Sequence, residues 1–200
     1  MPVRLTRQYE KPPQFEAEEV RVCVTSDFFH QRADNWRQRV WEVIGKYPEK
    51  VFFILTKRPE RISKQLPRNW EELRERVRIG VSIENQFTAN LRIKELARVD
   101  CIGRCVLAMP LIDKIELPPE VKQFEKIIIG GEHGINPRIL KFDWVVELYK
   151  QAKSAEVDIL FKNTGAMLQK GNRVFDIPQQ IRESQAKKAH KELRSEIYGL

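Results

Sequence analysis

The sequence is poor in cysteine and has no long apolar run. Its three cysteines, Cys23, Cys101 and Cys105, are an odd number. There is neither a signal peptide nor an apolar stretch of the ~18 residues that would suggest a membrane span. A domain of 200 residues buries roughly 70% of its unfolded surface, so the core needs no disulfides. We therefore expect a soluble, cytoplasmic protein without membrane contacts.

Common catalytic signatures are also absent. There is no HExxH pair for zinc, no GxxxxGK[ST] phosphate loop and no recognisable pairing of a nucleophile with a base. Cys101 and Cys105 stand four residues apart, but two thiols are too few for zinc or for an iron–sulfur cluster. We predict no metal site, and Cys105 is expected to be packed in a strand. An ordinary metal-free hydrolase is disfavoured because no catalytic pair can be assembled.

Positive charge exceeds negative charge. The chain has 36 Lys and Arg against 28 Asp and Glu, a net charge of +8, which favours anionic partners through long-range attraction. Much of the excess lies in the tail after Pro178 and on helices that carry both signs. Nucleic acid is therefore an expected partner only through the basic tail.

Six apolar runs that end in polar residues predict six β-strands. They span residues 20–25, 51–56, 77–81, 104–109, 126–129 and 158–161. The run at 51–56 begins with five apolar residues, which suits a strand in the middle of a parallel sheet and buried on both faces. Helical segments alternate with the strands, as in βα units with right-handed crossovers. The predicted fold is α/β, a partial, open (β/α) barrel with mostly parallel strands.

The segments between the strands predict helices of unequal strength. Asp34 is expected to cap a helix with one apolar face. Residues 59–66 and 70–76 are predicted as two short helices. The strongest amphipathic pattern covers residues 142–152 and predicts a longer helix.

The chain divides into three parts by its patterns. Residues 1–19 form an extended lead-in without apolar periodicity, and residues 20–177 form the barrel domain. Residues 178–200 predict a basic C-terminal helix, packed on the barrel or extending from it. Its predicted packing side consists of Ile181, Ala189 and Leu193.

Polar residues directly after the predicted strands form what we call the polar ring. In parallel α/β folds the loops that leave the carboxyl ends of the strands converge on one face, so these residues are expected to lie together. Carboxylates beside cations suit a zwitterionic or anionic ligand. The alternative is that single members only cap helices or pair with each other. The members are Ser26, Asp27, Thr56, Lys57, Arg58, Ser82, Glu84, Asn85, Glu132, Lys162 and Asn163.

A glycine-rich segment, Gly130-Gly131-Glu132-His133-Gly134, follows the fifth predicted strand. Successive glycines allow the backbone to approach a ligand closely. A phosphate is disfavoured because Glu132 would repel it, whereas its carboxylate suits an amine or a hydroxyl. A plain tight turn is the alternative.

Taken in order, the segments SDFF, LTKRPER, GVSIENQ, AMPLID, IIIGGEHG and FKNTG resemble the phage Gp37/Gp68-like family (DUF5131), a radical S-adenosylmethionine group of phages and mobile elements. The resemblance runs from about residue 20 to the tail. It implies a partial (β/α) barrel, S-adenosylmethionine as a cofactor and a [4Fe–4S] cluster held by closely spaced cysteines. It also implies that Asp27, Lys57, Ser82, Glu84 and Glu132 bind the cofactor. Four other members of the polar ring are expected to bind the substrate, namely Arg58, Asn85, Lys162 and Asn163.

The sequence departs from this family where the cluster is held. No clustered cysteines precede Val20, and the chain begins roughly one βα unit too late, so a radical-SAM-like barrel without its first unit is expected. We expect that this chain alone does not bind a [4Fe–4S] cluster.

Two functions are compatible with these observations. The first is a radical S-adenosylmethionine-type protein that is N-terminally incomplete or cluster-less, with an unknown substrate. The second is a non-catalytic module that binds a ligand, nucleic acid or a partner protein. Two protein partners are expected. One is a second copy that pairs through the open edge of strand 20–25, and the other is a second chain that supplies the missing unit.

Overall fold

Six parallel strands form a curled sheet, a half-barrel in which the strands stand in the order of the chain. The computed structural model describes residues 18–23 and 26–199. Each strand pairs in parallel with the next, so the predicted partial, open α/β barrel is confirmed. The six strands are β1 (Glu19–Val22), β2 (Val51–Thr56), β3 (Val77–Ser82), β4 (Gly103–Ala108), β5 (Lys126–Gly130) and β7 (Asp158–Asn163).

Helices cover one face of this sheet. Every second side chain along a strand points to that face, and Ile54, Ile79, Val106, Ile127 and Phe161 are buried there. This alternation places the hydrophobic core between the sheet and the helices. The helices are α1 (Asp34–Gly45), α2 (Trp70–Leu73), α3 (Gln86–Ala97), α4 (Phe142–Ala155) and α5 (Arg182–Leu193).

The opposite, concave face of the half-barrel is only partly covered. Phe53, Leu107, Ile128 and Leu160 lie on it and remain partly exposed. Three of these, all except Leu107, line an open cavity of about 500 Å³. The half-barrel therefore encloses a partly apolar space beside the strands.

Ion pairs connect the strands at their amino-terminal ends. The Arg78 guanidinium binds Glu19 and also Glu125, the latter at 2.7 Å. Lys126 Nζ lies 3.0 Å from the Asp158 carboxylate. The Arg78 pairs span an intervening strand and the Lys126–Asp158 pair joins neighbouring strands, so the charges at this end of the half-barrel largely neutralise one another.

The position of β2 differs from the prediction. It is second in the sheet, beside β1, rather than in the middle. It is also buried on one face only, since Phe52, Ile54 and Thr56 are buried while the alternate residues are partly exposed. An unbroken apolar run does not distinguish a strand covered on both faces from one that faces a cavity, so the prediction was wrong.

Among the described residues, β1 is an edge strand of the sheet, as predicted. It is shorter than the predicted strand 20–25, since it begins at Glu19 and ends at Val22. Cys23 follows with a positive φ of 57°. Residues 24 and 25, and most of the predicted lead-in, lie outside the described residues.

Asp34 does not cap α1. It is the first residue of that helix, and the N-cap position is occupied by Ala33. The Asp34 carboxylate instead binds the guanidinium groups of Arg37 and Arg61, each at 2.8 Å. Arg37 lies on the same helix three residues later, whereas Arg61 comes from the turn after β2, which local sequence spacing does not reveal.

The two predicted short helices are shorter in the structure. Residues 59–66 form only a 3₁₀ turn at Pro59–Arg61, because Ile62 is the only buried side chain in the rest of that segment. Residues 70–76 form α2 and a 3₁₀ turn at Arg74–Arg76. The helix predicted at 142–152 is confirmed as α4.

α5 packs against β7 through a different set of residues from the predicted one. Leu193 is buried and Ala189 is partly buried, as expected. Ala186 is completely buried, however, while Ile181 lies before the helix and is exposed. The helix begins one residue later than Ile181, which removes that side chain from the packed face.

A buried tyrosine joins α4, β7 and α5. The Tyr149 hydroxyl accepts a hydrogen bond from the Phe161 amide at 3.1 Å and lies 2.5 Å from His190 Nδ1. Since the hydroxyl has one proton, it donates to a neutral His190. The pKa of Tyr149 is raised and that of His190 is lowered by burial.

A second, small sheet was not predicted. It contains β6 (Leu140–Lys141), β8 (Met167–Lys170) and β9 (Arg173–Asp176), with β8 and β9 joined as a hairpin. Gly171 in the hairpin turn has φ of 58°, a conformation that glycine adopts without strain. Within the described ranges, none of the helices has the length and apolar character needed to cross a bilayer.

Candidate ligand-binding ring

Asp27 joins the loop after β1 to the end of β2. Its Oδ1 accepts hydrogen bonds from the Thr56 hydroxyl at 2.8 Å and the Phe29 amide at 3.0 Å. Its Oδ2 accepts from the Lys57 amide at 3.0 Å and the Arg58 guanidinium at 2.7 Å. Four donors occupy a carboxylate that has about four lone-pair positions. Asp27 therefore has little capacity left for a ligand's ammonium group.

Glu84 follows β3 and lies between two cations. These are Lys57, which follows β2, and Arg92 on α3. Its Oε1 is 2.6 Å from Lys57 Nζ, and its Oε2 is 2.9 Å from the Arg92 guanidinium. Arg92 also donates to the Ser82 carbonyl oxygen at 2.6 Å. The Lys57 side chain is 53% exposed, whereas that of Glu84 is 14% exposed. Arg92 thus holds one oxygen of the carboxylate, and the other oxygen faces the exposed Lys57 side chain.

Glu132 binds Arg138 from the same loop. Its Oε2 accepts from the Arg138 amide at 2.8 Å and from Nε at 2.7 Å, and Oε1 accepts from the guanidinium. These hydrogen bonds from Arg138 lower the pKa of Glu132 to about 2. Glu132 also contributes most to raising the pKa of Arg138, and the Glu84 charge adds to it. Arg138 is therefore paired with Glu132 and also influenced by the charge of Glu84.

Gly131 marks a close crossing of two backbones rather than a ligand contact. A Cβ at this position would lie 2.3 Å from the Thr164 carbonyl oxygen and 2.7 Å from Gly165 Cα. The chain is held there by a hydrogen bond from the Ala166 amide to the Glu132 carbonyl oxygen at 2.8 Å. The glycine is required because the loop after β7 packs directly on the loop after β5.

Other members of the polar ring have structural roles. Asn85 caps α3, with its side chain accepting from the Thr88 amide at 3.0 Å while the Thr88 hydroxyl accepts from the Asn85 amide at 3.1 Å. Arg58 is paired with Asp27. Lys162 is exposed and makes no ion pair with the described residues. The predicted ring is therefore a mixture of capping, self-paired and open side chains.

Two members, Ser82 and Asn163, turn into the half-barrel. Ser82 is 5% exposed and Asn163 is 4% exposed. The register shift between Ile129 and Gly130 pairs Gly130 with Asn163. It brings the Asn163 amide over the Gly130 backbone, on the concave face.

Sequence reasoning missed Arg92 and Arg138. Arg92 lies on α3 and Arg138 in the loop after Glu132, and neither follows a strand directly. Arg138 is six residues from its carboxylate partner in an irregular loop, so no periodic spacing indicates the pair. Only the path of the backbone brings these guanidinium groups to the ring.

The polar ring has the chemistry to bind a small zwitterion. Ionised Glu84 and Glu132 accept hydrogen bonds from an ammonium group, and exposed Lys57 and Lys162 suit a carboxylate or phosphate. The predicted site residues are placed at one end of the half-barrel, but their roles in binding stay predictions.

A comparison with protein families matches a model described as a protein of unknown function, DUF5131, over residues 3–199. The chain belongs to the DUF5131 family. Neither the curated proteins nor the solved structures gave a match. The family assignment covers the half-barrel, the small sheet and α5.

The cysteines of this DUF5131 chain do not fit an iron–sulfur cluster. Cys23 follows β1 at the carboxyl end of the sheet, whereas Cys105 lies in β4 beside Gly80 and Lys126, towards the amino-terminal end. Burial raises the pKa of Cys23 and Cys101, and it raises the pKa of Cys105 to about 12. Among the residues with described positions, no three His, Cys, Asp or Glu side chains are grouped as metal ligands.

Proposed function

We propose that this chain is the ligand-binding half-barrel of a radical S-adenosylmethionine-type protein, acting on a substrate of unknown class. The observation that carries the proposal is the pair of ionic groups beside the carboxyl ends of parallel strands. Lys57 and Arg92 bind Glu84, and Arg138 binds Glu132. Ligands of parallel α/β folds bind at this end.

Adenosylmethionine carries an ammonium and a carboxylate on one carbon, and this pair matches the Lys57–Glu84 pair. The ammonium binds Glu84 while Lys57 turns from Glu84 to the ligand's carboxylate. One ion pair is exchanged for two, so the ammonium and the carboxylate of the ligand are both paired. Arg92 stays on the other oxygen of Glu84 and fixes its orientation.

The ring residues contribute binding and orientation. Glu132 remains ionised at neutral pH because its pKa is lowered to about 2, so it accepts hydrogen bonds from ribose hydroxyls. Bound adenosylmethionine supplies a reactive sulfonium. Its reductive cleavage would require a cluster whose thiolates come from outside these 200 residues, since Cys23, Cys101 and Cys105 do not converge.

Binding of adenosylmethionine to the isolated chain tests the ring. We expect weak, saturable binding by saturation-transfer NMR, reduced about tenfold or more by Glu84→Gln, because a charge-assisted hydrogen bond contributes roughly 1.5–3 kcal/mol. Glu147→Gln is the matched control, since Glu147 forms a similar exposed pair with Lys150 on α4. Equal affinity of the two variants would contradict the assignment of Glu84.

Product formation tests the cluster. After anaerobic reconstitution with iron, sulfide and a strong reductant, we expect no catalytic accumulation of 5′-deoxyadenosine from the isolated chain. Activity that appears only when a cysteine-bearing polypeptide is added would support the proposal. Catalytic turnover by the isolated chain would show that its own cysteines suffice and would overturn this part.

A cluster-less binding module is the second candidate. The positions of the cysteines favour it, because Cys23 and Cys105 lie towards opposite ends of the sheet and do not converge. This module would bind a small ligand on the same ring without catalysis. Adenosylmethionine binding without any turnover, even with added cysteine-bearing polypeptide, would favour it over the first candidate.

A further inference from the structure

The open cavity of about 500 Å³ lies on the concave side of the half-barrel, away from the polar ring. Its lining includes side chains from both edge strands, β1 and β7, and from the strands between them. Six of its ten lining residues are charged, and they stand at or near the amino-terminal ends of the strands. A cavity of this volume suits a small organic molecule. Which molecule it suits depends on how these charges are paired.

Five of the six charged side chains are paired within the lining. The Arg78 guanidinium binds both Glu19 and Glu125. Lys126 Nζ lies 3.0 Å from the Asp158 carboxylate. Each of the three carboxylates that line the cavity therefore already has a cation. A cationic ligand would have to displace one of these pairs.

The sixth charged side chain, Arg21, is exposed and has no such partner. Its guanidinium forms neither an ion pair nor a hydrogen bond with the part of the chain that the structure describes. Arg194 of α5 adds a second cation to Asp158, with a guanidinium nitrogen 3.3 Å from Oδ1. The cations around the cavity therefore outnumber the carboxylates by one, and the unmatched cation is Arg21. A guanidinium is well suited to bind a carboxylate.

The wall of the cavity beside Arg21 is apolar. Arg21 is in register with Phe53, so the two side chains leave neighbouring strands on the same side of the sheet. Ile128 and Leu160 are in register on β5 and β7, and like Phe53 they are partly exposed. Cys105 also lines the cavity, and its thiol is neutral at neutral pH because burial raises its pKa to about 12. A ligand here would meet an apolar surface with one guanidinium at the β1 edge.

We propose that this cavity binds a small ionised carboxylic acid with an apolar body. The carboxylate binds the Arg21 guanidinium, and the body covers Phe53, Ile128 and Leu160. Burial of apolar surface supplies most of the affinity, whereas the ion pair selects for charge. One free cation close to three carboxylates favours a monoanion over a phosphate, which carries more negative charge. The site is separate from the polar ring, so it does not depend on adenosylmethionine binding there.

Benzoate is the probe, titrated into the full chain and followed by the methyl signals in NMR. We expect saturable shifts for Ile128 and Leu160, which line the cavity. The methyl signals of Ile44 should stay unchanged, because Ile44 is buried on α1 in the core between the helices and the sheet. Two further probes separate the contributions. Acetate lacks the apolar body and should give no saturable shift, and benzyl alcohol lacks the charge and should bind more weakly than benzoate.

Substitution of Arg21 tests the ion pair. Arg21→Gln should weaken benzoate binding about fivefold, or about 1 kcal/mol, the upper range for an exposed ion pair, and leave binding of benzyl alcohol unchanged. Arg21→Lys keeps the charge and should retain most of the affinity. Arg68→Gln is the matched control, because Arg68 is exposed and does not line the cavity. It should bind benzoate as the unaltered chain does.

Four outcomes would overturn the proposal. The first is that benzoate does not bind, and the second is that it binds without shifting the signals of Ile128 and Leu160. The third is that acetate or benzyl alcohol binds as tightly as benzoate. The fourth is that Arg21→Gln and Arg68→Gln bind benzoate equally well.

Discussion

Replacing Gly131 with alanine tests whether this glycine serves backbone packing. The residue does not have a positive φ, so alanine meets no conformational barrier of its own. Its Cβ would instead point at the loop after β7, where the Thr164 carbonyl oxygen and Gly165 Cα lie within 2.7 Å. The substitution thus isolates the close approach of two loops.

The expected cost follows from the geometry. The 2.3 Å separation from the Thr164 oxygen falls about 1 Å short of the 3.4 Å of ordinary contact. The atoms in the way are backbone, so they cannot move aside as a flexible side chain does. Overpacking typically costs about 1–3 kcal/mol, and we expect the upper end, about 3 kcal/mol. For a domain of this size that corresponds to a fall in Tm of roughly 6–12 °C.

The measurement is urea unfolding and thermal denaturation of Gly131→Ala beside Gly45→Ala. Gly45 is exposed at the end of α1, and a Cβ there would meet only a Leu73 methyl at 3.9 Å. We expect Gly45→Ala to stabilise the protein by up to about 1 kcal/mol, because alanine favours the helix. The control has the same chemical change without the clash.

The reasoning about Gly131 would be refuted if Gly131→Ala unfolded at the same urea concentration as the unaltered chain. Equal destabilisation by Gly45→Ala would also contradict it. Loss of ligand binding with unchanged stability would indicate that the glycine serves a ligand instead.

Other changes test the C-terminal helix, the Glu132–Arg138 pair and the expected partners. Burial lowers the pKa of His190, so its contribution to the free energy of unfolding is complete above the unfolded pKa of about 6.5 and is lost as pH falls below it. In urea unfolding at about pH 7.5 and 5, His190→Asn should therefore lose less stability between the two pH values than the unaltered chain. Equal losses of stability would contradict this. The pKa of Glu132 is lowered from 4.5 to about 2, so its contribution to the free energy of unfolding is present above pH 4.5 and is lost as pH falls towards 2. Arg138→Gln should make the stability depend less on pH in this range, and an unchanged dependence would argue against the Glu132–Arg138 pair. Neutralising three exposed α5 lysines should weaken binding of nucleic acid at low salt without unfolding the helix, as measured by fluorescence anisotropy, and unchanged binding would exclude the tail. Pairing of two copies through the β1 edge predicts a dimer in sedimentation at high concentration, and a monomer throughout would exclude it. The α5 lysines are Lys187, Lys188 and Lys191.

The sequence predicted the parallel half-barrel because buried strands and amphipathic helices have characteristic local patterns of apolar residues. Each of the six main strands overlaps an apolar run that is followed by polar residues, and α4 has a clear apolar face. β6, β8 and β9 escaped prediction because β6 has two residues and β9 is exposed throughout. Short or exposed strands bury too little to leave such a pattern.

The sequence predicted where the candidate site lies, but not which of its side chains form ion pairs and hydrogen bonds with each other. The carboxyl ends of parallel strands must lie together, so the placement of Lys57 and Glu84 at one end follows from the topology. Which side chains remain open for a ligand depends on distances between loops. Arg92 and Arg138 reach the ring from a helix and an irregular loop, and no spacing in the sequence indicates that.

By itself, the sequence determined the order and direction of the strands and the accumulation of polar residues at one end. Only the tertiary structure decided that Asp27 and Asn85 are occupied by neighbouring donors while Ser82 and Asn163 face the interior. The reason is physical: hydrophobic periodicity is a property of neighbouring residues, whereas hydrogen-bond saturation depends on atoms that meet only after the sheet has curled. A register shift of one residue at Gly130 was enough to turn Asn163 into the half-barrel.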